Sequence, residues 1–155
     1  GMRVLACRRN PDFSEERENL RFADLDTLRR ESDVLSIHCP LTEETRGMVD
    51  RRFLAGMKPG AILLNTARGA ILDEEAVAEA LDSERLAGAG VDVFAAEPAG
   101  AENPLARHPK CVATPHVSWA ARETRARLLE ACADNFLAFL EGKPRNVVNH
   151  PAPRT

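Results

Sequence analysis

The chain has 155 residues, 44% of them hydrophobic, and a formal net charge of -3, which allows one domain with a real core and is too short for two of ordinary size. The slightly acidic balance leaves no basic surplus for nucleic acid or an acidic membrane surface, and Arg8-Arg9, Arg29-Arg30 and Arg51-Arg52 are isolated pairs rather than a tract. No stretch approaches the apolar length of a membrane span and the N-terminus lacks the shape of a signal peptide, so a cytoplasmic protein is expected, with its four scattered cysteines as reduced, mostly buried thiols.

In chain order, Arg3 to Cys7 predicts a short strand. Asn10-Pro11-Asp12 interrupts the chain, Ser14 to Asn19 reads as charged and weakly ordered, and a short strand is expected at Leu20 to Phe22. Asp26 is placed to cap a short helix carrying Leu28. Ser32-Asp33 ends it, and Val34 to Cys39 reads as the next strand, closed by Pro40. Asp50 begins another short helix through Phe53, Leu54 and Met57. Lys58-Pro59-Gly60 suits a tight turn. The run Ala61-Ile62-Leu63-Leu64 then predicts a strand buried on both faces, stopping at Asn65.

A small-residue loop carrying Arg68 follows. Asp73 is the expected N-cap of a helix to Ser83, with Leu72 and Val77 stapling its entry and Glu74 and Glu75 favoured by the helix dipole. Gly88 to Phe94 reads as a strand whose glycines permit close packing. An irregular loop from Glu97-Pro98 to Lys110 leads to a last strand, Cys111 to Thr114. A long helix is expected from Ser118 to Glu141, with Leu128, Leu129, Cys132, Phe136, Phe139 and Leu140 forming one apolar stripe and Gly142 and Pro144 closing it. Residues 150–155 are expected to be a disordered tail.

Strands alternating with short helices, too widely spaced for hairpins, call for right-handed crossovers and a doubly wound parallel α/β sheet. Such a sheet gathers every strand's carboxyl end on one edge, where ligands bind. His38, Arg68, Asp92 with Glu97, and His116 all fall at or just past such ends. Singly, each has an ordinary reading as a solvated arginine, a loop carboxylate or a loop histidine. Together they have a chemistry. Arg68 offers a planar fork that fits a carboxylate, His116 carries protons near neutrality, and Glu97 beside it favours the imidazolium and fixes the ring. That set suits oxidation of an alcohol next to a carboxylate, but it lacks an electron sink, so a bound hydride carrier is required. A metal site from His38, Cys39, His108 and Cys111 is not expected, because the fold separates these segments.

The runs Ser36-Ile37-His38-Cys39-Pro40-Leu41-Thr42, Asn65-Thr66-Ala67-Arg68-Gly69, Gly90-Val91-Asp92-Val93-Phe94 with Glu97-Pro98, and Thr114-Pro115-His116 resemble the successive signatures of the D-isomer-specific 2-hydroxyacid dehydrogenases. Val117-Ser118-Trp119-Ala120 is similar to the glycerate dehydrogenase and hydroxypyruvate reductase branch. The resemblance implies a Rossmann-type nucleotide-binding domain whose C-terminal part is residues 1–149, including the helix at 118–141. It implies Arg68 on the substrate carboxylate and carbonyl, His116 exchanging the hydroxyl proton and Glu97 bonded to His116. Cys39, Pro40, Thr66, Ala67, Asp92, His116 and Ser118 would line the nicotinamide end of the cofactor, with His38 and Arg68 beside them. The implied partner is a small 2-keto or 2-hydroxy acid, in a homo-oligomer such as a dimer.

Two departures shape further expectations. Where the family has an Asp at the end of the strand matching Arg3 to Cys7, this chain has Arg8 and Arg9, which favours NADP over NAD. The family's first strand and glycine-rich phosphate loop should precede Arg3 and are absent, so the sheet is read as partial and the chain by itself as inactive. The Arg3 strand is then expected either to pair directly with the Val34 strand or to leave a gap for a second molecule. The alternative from another class is a catalytically silent remnant acting as a dimerisation or regulatory module.

Overall fold

A computed structural model of the chain describes residues 1–148, so the tail expected at 150–155 lies outside the described residues. The chain divides into two compact units, Gly1–His116 and the residues from Val117 onward. The first unit runs β1 (Val4–Ala6), β2 (Leu20–Phe22), α1 (Leu25–Glu31), β3 (Val34–Ile37), α2 (Arg51–Ala55), β4 (Ala61–Asn65), α3 (Glu74–Asp82), β5 (Leu86–Val91) and β6 (Cys111–Ala113), with 3-10 turns at Phe13–Glu15 and Gly69–Ile71. The second unit is built on α4 (Arg122–Leu140).

Every pairing between these strands is parallel, in a four-stranded sheet ordered β3-β4-β5-β6 and a two-stranded sheet β1-β2. Parallel strands joined through helices give the parallel α/β architecture that the strand spacing predicts, of the Rossmann type that the resemblance implies.

Aspartates start the helices of this unit. The side chains of Asp24, Asp50 and Asp73 accept from the backbone N–H of Thr27, Phe53 and Ala76, each satisfying a donor that the first turn leaves without an intrahelical partner. Asp24, not the expected Asp26, caps α1. Asp26 sits within the first turn, paired with Arg29 and Arg30, because the residue with extended backbone just before that turn is Asp24.

The register sorts the strands into two faces. Leu35, Leu63 and Ala89 align as one buried row and Ile37, Asn65 and Val91 as the next. Phe53, Leu54, Val77, Ala80 and Leu81 of α2 and α3 join the same core, with Leu28 of α1 packed against it. On the other face Val34 and Ile62 align, and Ser36, Leu64, Gly90 and Val112 form the second row. The expectation that β4 is buried on both faces is therefore corrected, since Ile62 is 39% exposed while Leu63 is 0%. The three helices of this unit all contribute to the core on the Leu63 side, so β4 alternates despite its unbroken apolar sequence. Gly90 has a packing reason, because a Cβ there would lie 2.9 Å from Leu64 Cδ2.

The expected pairing of the Arg3 strand with the Val34 strand is not formed. β1 takes β2 instead, in the register Val4 to Leu20 through Ala6 to Phe22, extended by hydrogen bonds from Val4 N to Asn19 O at 2.7 Å and Ala23 N to Ala6 O at 2.9 Å. β2 thus pairs one edge of β1.

Three further boundaries differ from the sequence reading. β5 begins at Leu86 and ends at Val91, leaving Asp92, Val93 and Phe94 beyond it although all three are buried. α4 begins at Arg122 rather than Ser118, with Ala121 as an N-cap that makes no side-chain bond. On α4 the six apolar residues of the expected stripe fall within about 120° of arc, and Gly142, at φ 70°, follows its end.

Candidate active site

The carboxyl edge of the sheet is where the chemistry-bearing residues gather. At the end of β4 the fully buried Asn65 turns the chain, its Oδ1 accepting from Ala67 N and its Nδ2 donating to Arg68 O, both at 3.0 Å. This side chain replaces the strand's lost ladder and shapes the loop that presents Arg68. Sequence reasoning saw Asn65 only as the end of an apolar run; the signal was a polar residue in core register, two residues before a backbone N–H it can bond. Arg68 is exposed, and its guanidinium donates to Ala67 O at 2.6 Å.

Gly69 explains how the β4 and β5 ends approach each other. A Cβ built on it would sit 1.9 Å from the carbonyl carbon and 2.2 Å from the carbonyl oxygen of Phe94. Backbone therefore lies against backbone here. Gly69→Ala is expected to destabilise the fold by about 3 kcal/mol or more, at the upper end of overpacking costs. Urea denaturation should show it as a lower midpoint; an unchanged midpoint would mean the loop yields freely.

His116 follows β6. Its Nδ1 lies 2.7 Å from Glu97 Oε2, and Glu97 Oε1 accepts from Phe94 N at 3.0 Å. The His116 bond, and then the Phe94 N–H, hold the Glu97 carboxyl below its ordinary pKa. With Nδ1–H donating to Glu97, proton exchange falls to Nε2. The turn is fixed by Asp92, which is 3% exposed. Its carbonyl oxygen accepts from His116 N at 2.8 Å, and its Oδ1 accepts from Thr114 Oγ1 at 2.5 Å. His116 itself has φ 54°, a left-handed conformation uncommon for a residue with a Cβ and concentrated at functional sites.

Glu97 and His116 are thus brought together, with Asp92 behind them. Arg68 reaches this pair through backbone, its neighbour Gly69 abutting Phe94 and Ala95. His38, at the end of β3, bonds through Nε2 to Ser36 Oγ at 2.8 Å, and Cys39 and Pro40 follow it. Thr66 and Ala67 lie in the Arg68 loop, Thr66 exposed and Ala67 half-buried. Ser118 belongs to the second unit, in the turn before α4. Arg8, past the end of β1, pairs with Glu15 at 3.2 Å and lies over the Phe22 ring at 4.9 Å, while Arg9 acts on the Glu44 carboxyl.

The cysteines are free, but the expectation of mostly buried thiols is corrected. Cys7 and Cys132 are exposed and Cys39 and Cys111 half-buried. Among the described residues no group of three or more His, Cys, Asp or Glu is arranged to hold a metal ion. Within that set His108 is engaged elsewhere, its Nε2 3.2 Å from Asp82 Oδ1 and its Nδ1 accepting from Lys110 N. No helix among the described residues is long and apolar enough to cross a membrane.

The arrangement supplies a histidine–carboxylate pair and, on a loop whose backbone abuts that of Phe94, an exposed arginine; a pair of the first kind can move a proton and a guanidinium can fix an anion. It holds no group able to take up a hydride. Arg8 and Arg9 follow β1, the Asn65–Arg68 loop follows β4 and Asp92 follows β5, all past strand carboxyl ends, where parallel α/β sheets bind dinucleotides.

Comparison with known proteins bears on this edge directly. Residues 1–118 match the family described as D-isomer specific 2-hydroxyacid dehydrogenase, NAD binding domain. The hydroxypyruvate reductase of Blautia hydrogenotrophica is 44% identical over 149 residues, covering 96% of this chain and 46% of the relative. The glyoxylate/hydroxypyruvate reductase B of Pectobacterium carotovorum is 47% identical over 144 residues, 92% of this chain and 45% of the relative. The chain thus spans about half the length of the curated relatives it matches. The NAD complexed form of the D-isomer specific 2-hydroxyacid dehydrogenase of Lactobacillus delbrueckii ssp. bulgaricus superposes with a TM-score of 0.83 at 30% identity, over 95% of this chain and 48% of that one. By sequence and by fold, the chain belongs to the D-isomer specific 2-hydroxyacid dehydrogenases, of which it carries NAD-binding domain sequence.

Proposed function

We propose that this chain contributes the catalytic edge of an NAD(P)-dependent oxidoreductase interconverting a small 2-keto acid, hydroxypyruvate or glyoxylate, and its 2-hydroxy acid. The observation that carries the reading is the His116 to Glu97 bond of 2.7 Å on the same edge as Arg68. Arg68 binds the substrate carboxylate and carbonyl through its fork. His116, oriented by Glu97, delivers a proton from Nε2 to the carbonyl oxygen during reduction and takes it back during oxidation. Cys39, Pro40, Thr66, Ala67 and Asp92 line the nicotinamide end, with His38 beside them; a nicotinamide bound there would supply the hydride in reduction and accept it in oxidation. The same reading carries a cytoplasmic homo-oligomer, a dimer being the simplest.

Arg8 and Arg9 favour a 2'-phosphate, and so NADP over NAD. In this division Arg8, braced by Glu15 and Phe22, stacks, and Arg9 takes the phosphate charge.

The test is oxidation of NADPH and NADH with hydroxypyruvate or glyoxylate, first by this chain and then by an upstream-extended one. Turnover in either supports the proposal, with NADPH bound about ten- to hundredfold tighter than NADH from the added charge-assisted contacts. Tighter NADH binding would overturn the cofactor preference. No turnover in either form would favour the second reading, a silent dimerisation or regulatory module, whose supporting observation is that Leu128, Leu129, Phe136, Phe139 and Leu140 of α4 are exposed.

A further inference from the structure

The loop from Phe94 to Ala106 contains no helix or strand, yet it presents Glu97. One carboxylate grips it at both ends. Glu74, the first residue of α3, accepts from Ala95 N through Oε1 and from Asn103 Nδ2 through Oε2, both at 2.8 Å. Asn103 passes the grip on: its Oδ1 accepts from Leu105 N at 3.0 Å and Ala106 N at 3.1 Å, and Leu105 is 1% exposed in the core. A first-turn glutamate favoured only by the helix dipole would need neither contact. Here both oxygens are committed to groups 21 and 29 residues away.

The donors and acceptors are matched one to one. Asn103 cannot rotate its amide to suit a different partner, because its Oδ1 is held by two backbone N–H groups. Ala95 follows Phe94, whose N–H bonds Glu97, and Gly69 lets that same backbone lie against the Arg68 loop. Loosening Ala95 therefore loosens the support under Glu97.

We propose that Glu74 and Asn103 are positioning residues, a clasp that fixes the Phe94–Asn103 loop so that Glu97 meets Nδ1 of His116. The proposal rests on the reading of His116 as the proton carrier.

The test uses the 155-residue chain and needs no turnover. Carbon-detected NMR follows the titration of the Glu97 carboxyl, and hydrogen exchange follows the Ala95 amide, in Glu74→Ala, in Glu74→Gln, and in Glu74→Gln combined with Asn103→Asp. The double variant exchanges donor and acceptor: the new amide donates to the new carboxylate, still accepts from Ala95 N, and net charge is unchanged.

In Glu74→Ala, Ala95 exchange is expected to quicken by about ten- to hundredfold, with the Glu97 midpoint rising as its bonds to His116 and Phe94 slacken. Removal of a negative charge by itself would move that midpoint down, as would removal of the repulsion Asp92 exerts on it, so the direction separates the two causes. Glu74→Gln should fall between, and the double variant should return both readouts to those of the starting chain. A Glu97 midpoint unchanged or lowered in Glu74→Ala would overturn the proposal, and so would a double variant no better than Glu74→Gln. If Glu74→Ala does not fold, the comparison of Glu74→Gln with the double variant decides. An intact clasp in a protein without turnover would instead count against the dehydrogenase reading.

Discussion

Replacing His116 with alanine is expected to lower kcat for 2-keto acid reduction by about 10²–10⁴-fold, the usual contribution of a positioned acid–base group, with KM changed only a few fold. The reason lies in the geometry around the ring. Glu97 takes Nδ1 at 2.7 Å, so the imidazole has one orientation and one remaining proton to exchange. Removing it leaves substrate binding to Arg68 and deletes an interaction that matters chiefly in the transition state, which is the signature of a fall in kcat and kcat/KM together. Steady-state kinetics on whichever form of the protein turns over would check it, and a fall of less than tenfold would remove His116 from the chemistry.

Acid gives a second handle on the same pair. Glu97 is depressed in the folded chain, first by the hydrogen bond with His116 and then by the Phe94 N–H. A carboxylate whose folded pKa lies below its unfolded value, about 4.3 for Glu, contributes stability above that value and loses it as pH falls through the folded one. The pair should therefore stay closed from neutrality into mild acid and open only below about pH 4.3.

Arg68→Ala is expected to reduce kcat/KM by about 10²–10⁴-fold, since two charge-assisted hydrogen bonds to one carboxylate are lost, with the larger share of the change in KM. Arg68→Lys restores the charge without the planar fork, so it should recover only part of the loss. Isothermal titration with the 2-hydroxy acid, alongside kinetics, would measure both. Lysine as effective as arginine would mean that the site uses a point charge rather than a bidentate grip. The structure makes this a fair comparison, because Asn65 and Gly69 hold the Arg68 loop and the guanidinium adds a single bond, to Ala67 O.

What the amino-acid sequence discloses and what it hides follow from the range of the forces involved. β3 and β4 were readable because strand formation is written in local hydrophobic runs, and Asp50 and Asp73 because capping is a three-residue affair. The choice between Asp24 and Asp26 for α1 was not, since two aspartates two residues apart satisfy the same local rule and only the backbone angle of the earlier one decides. The alternation of β4 was hidden for a different reason. Its sequence is apolar on both faces, and which face the helices take depends on α2 and α3 packing together.

At the candidate site, Arg68, Glu97 and His116 were legible as residue types at strand ends. Their supports were less so: Asn65 was seen only as a strand end, Glu74 only as a dipole residue, and Thr114 and Asn103 were given no supporting role. Each acts through a side chain bonded to a distant or turning backbone, and no periodicity marks such a bond. The pairing of β1 with β2 was missed because the expectation weighed an empty position in the sheet more heavily than the nearer partner sixteen residues along the chain.

The left-handed turn at His116 sets stability and chemistry against each other at a single position. A glycine would occupy φ 54° without strain, relieving on the order of 1 kcal/mol, and a protein shaped only to endure heat would carry one there. An imidazole kept in that place trades robustness for a proton carrier, and it puts strained backbone directly under the side chain proposed to do the chemistry.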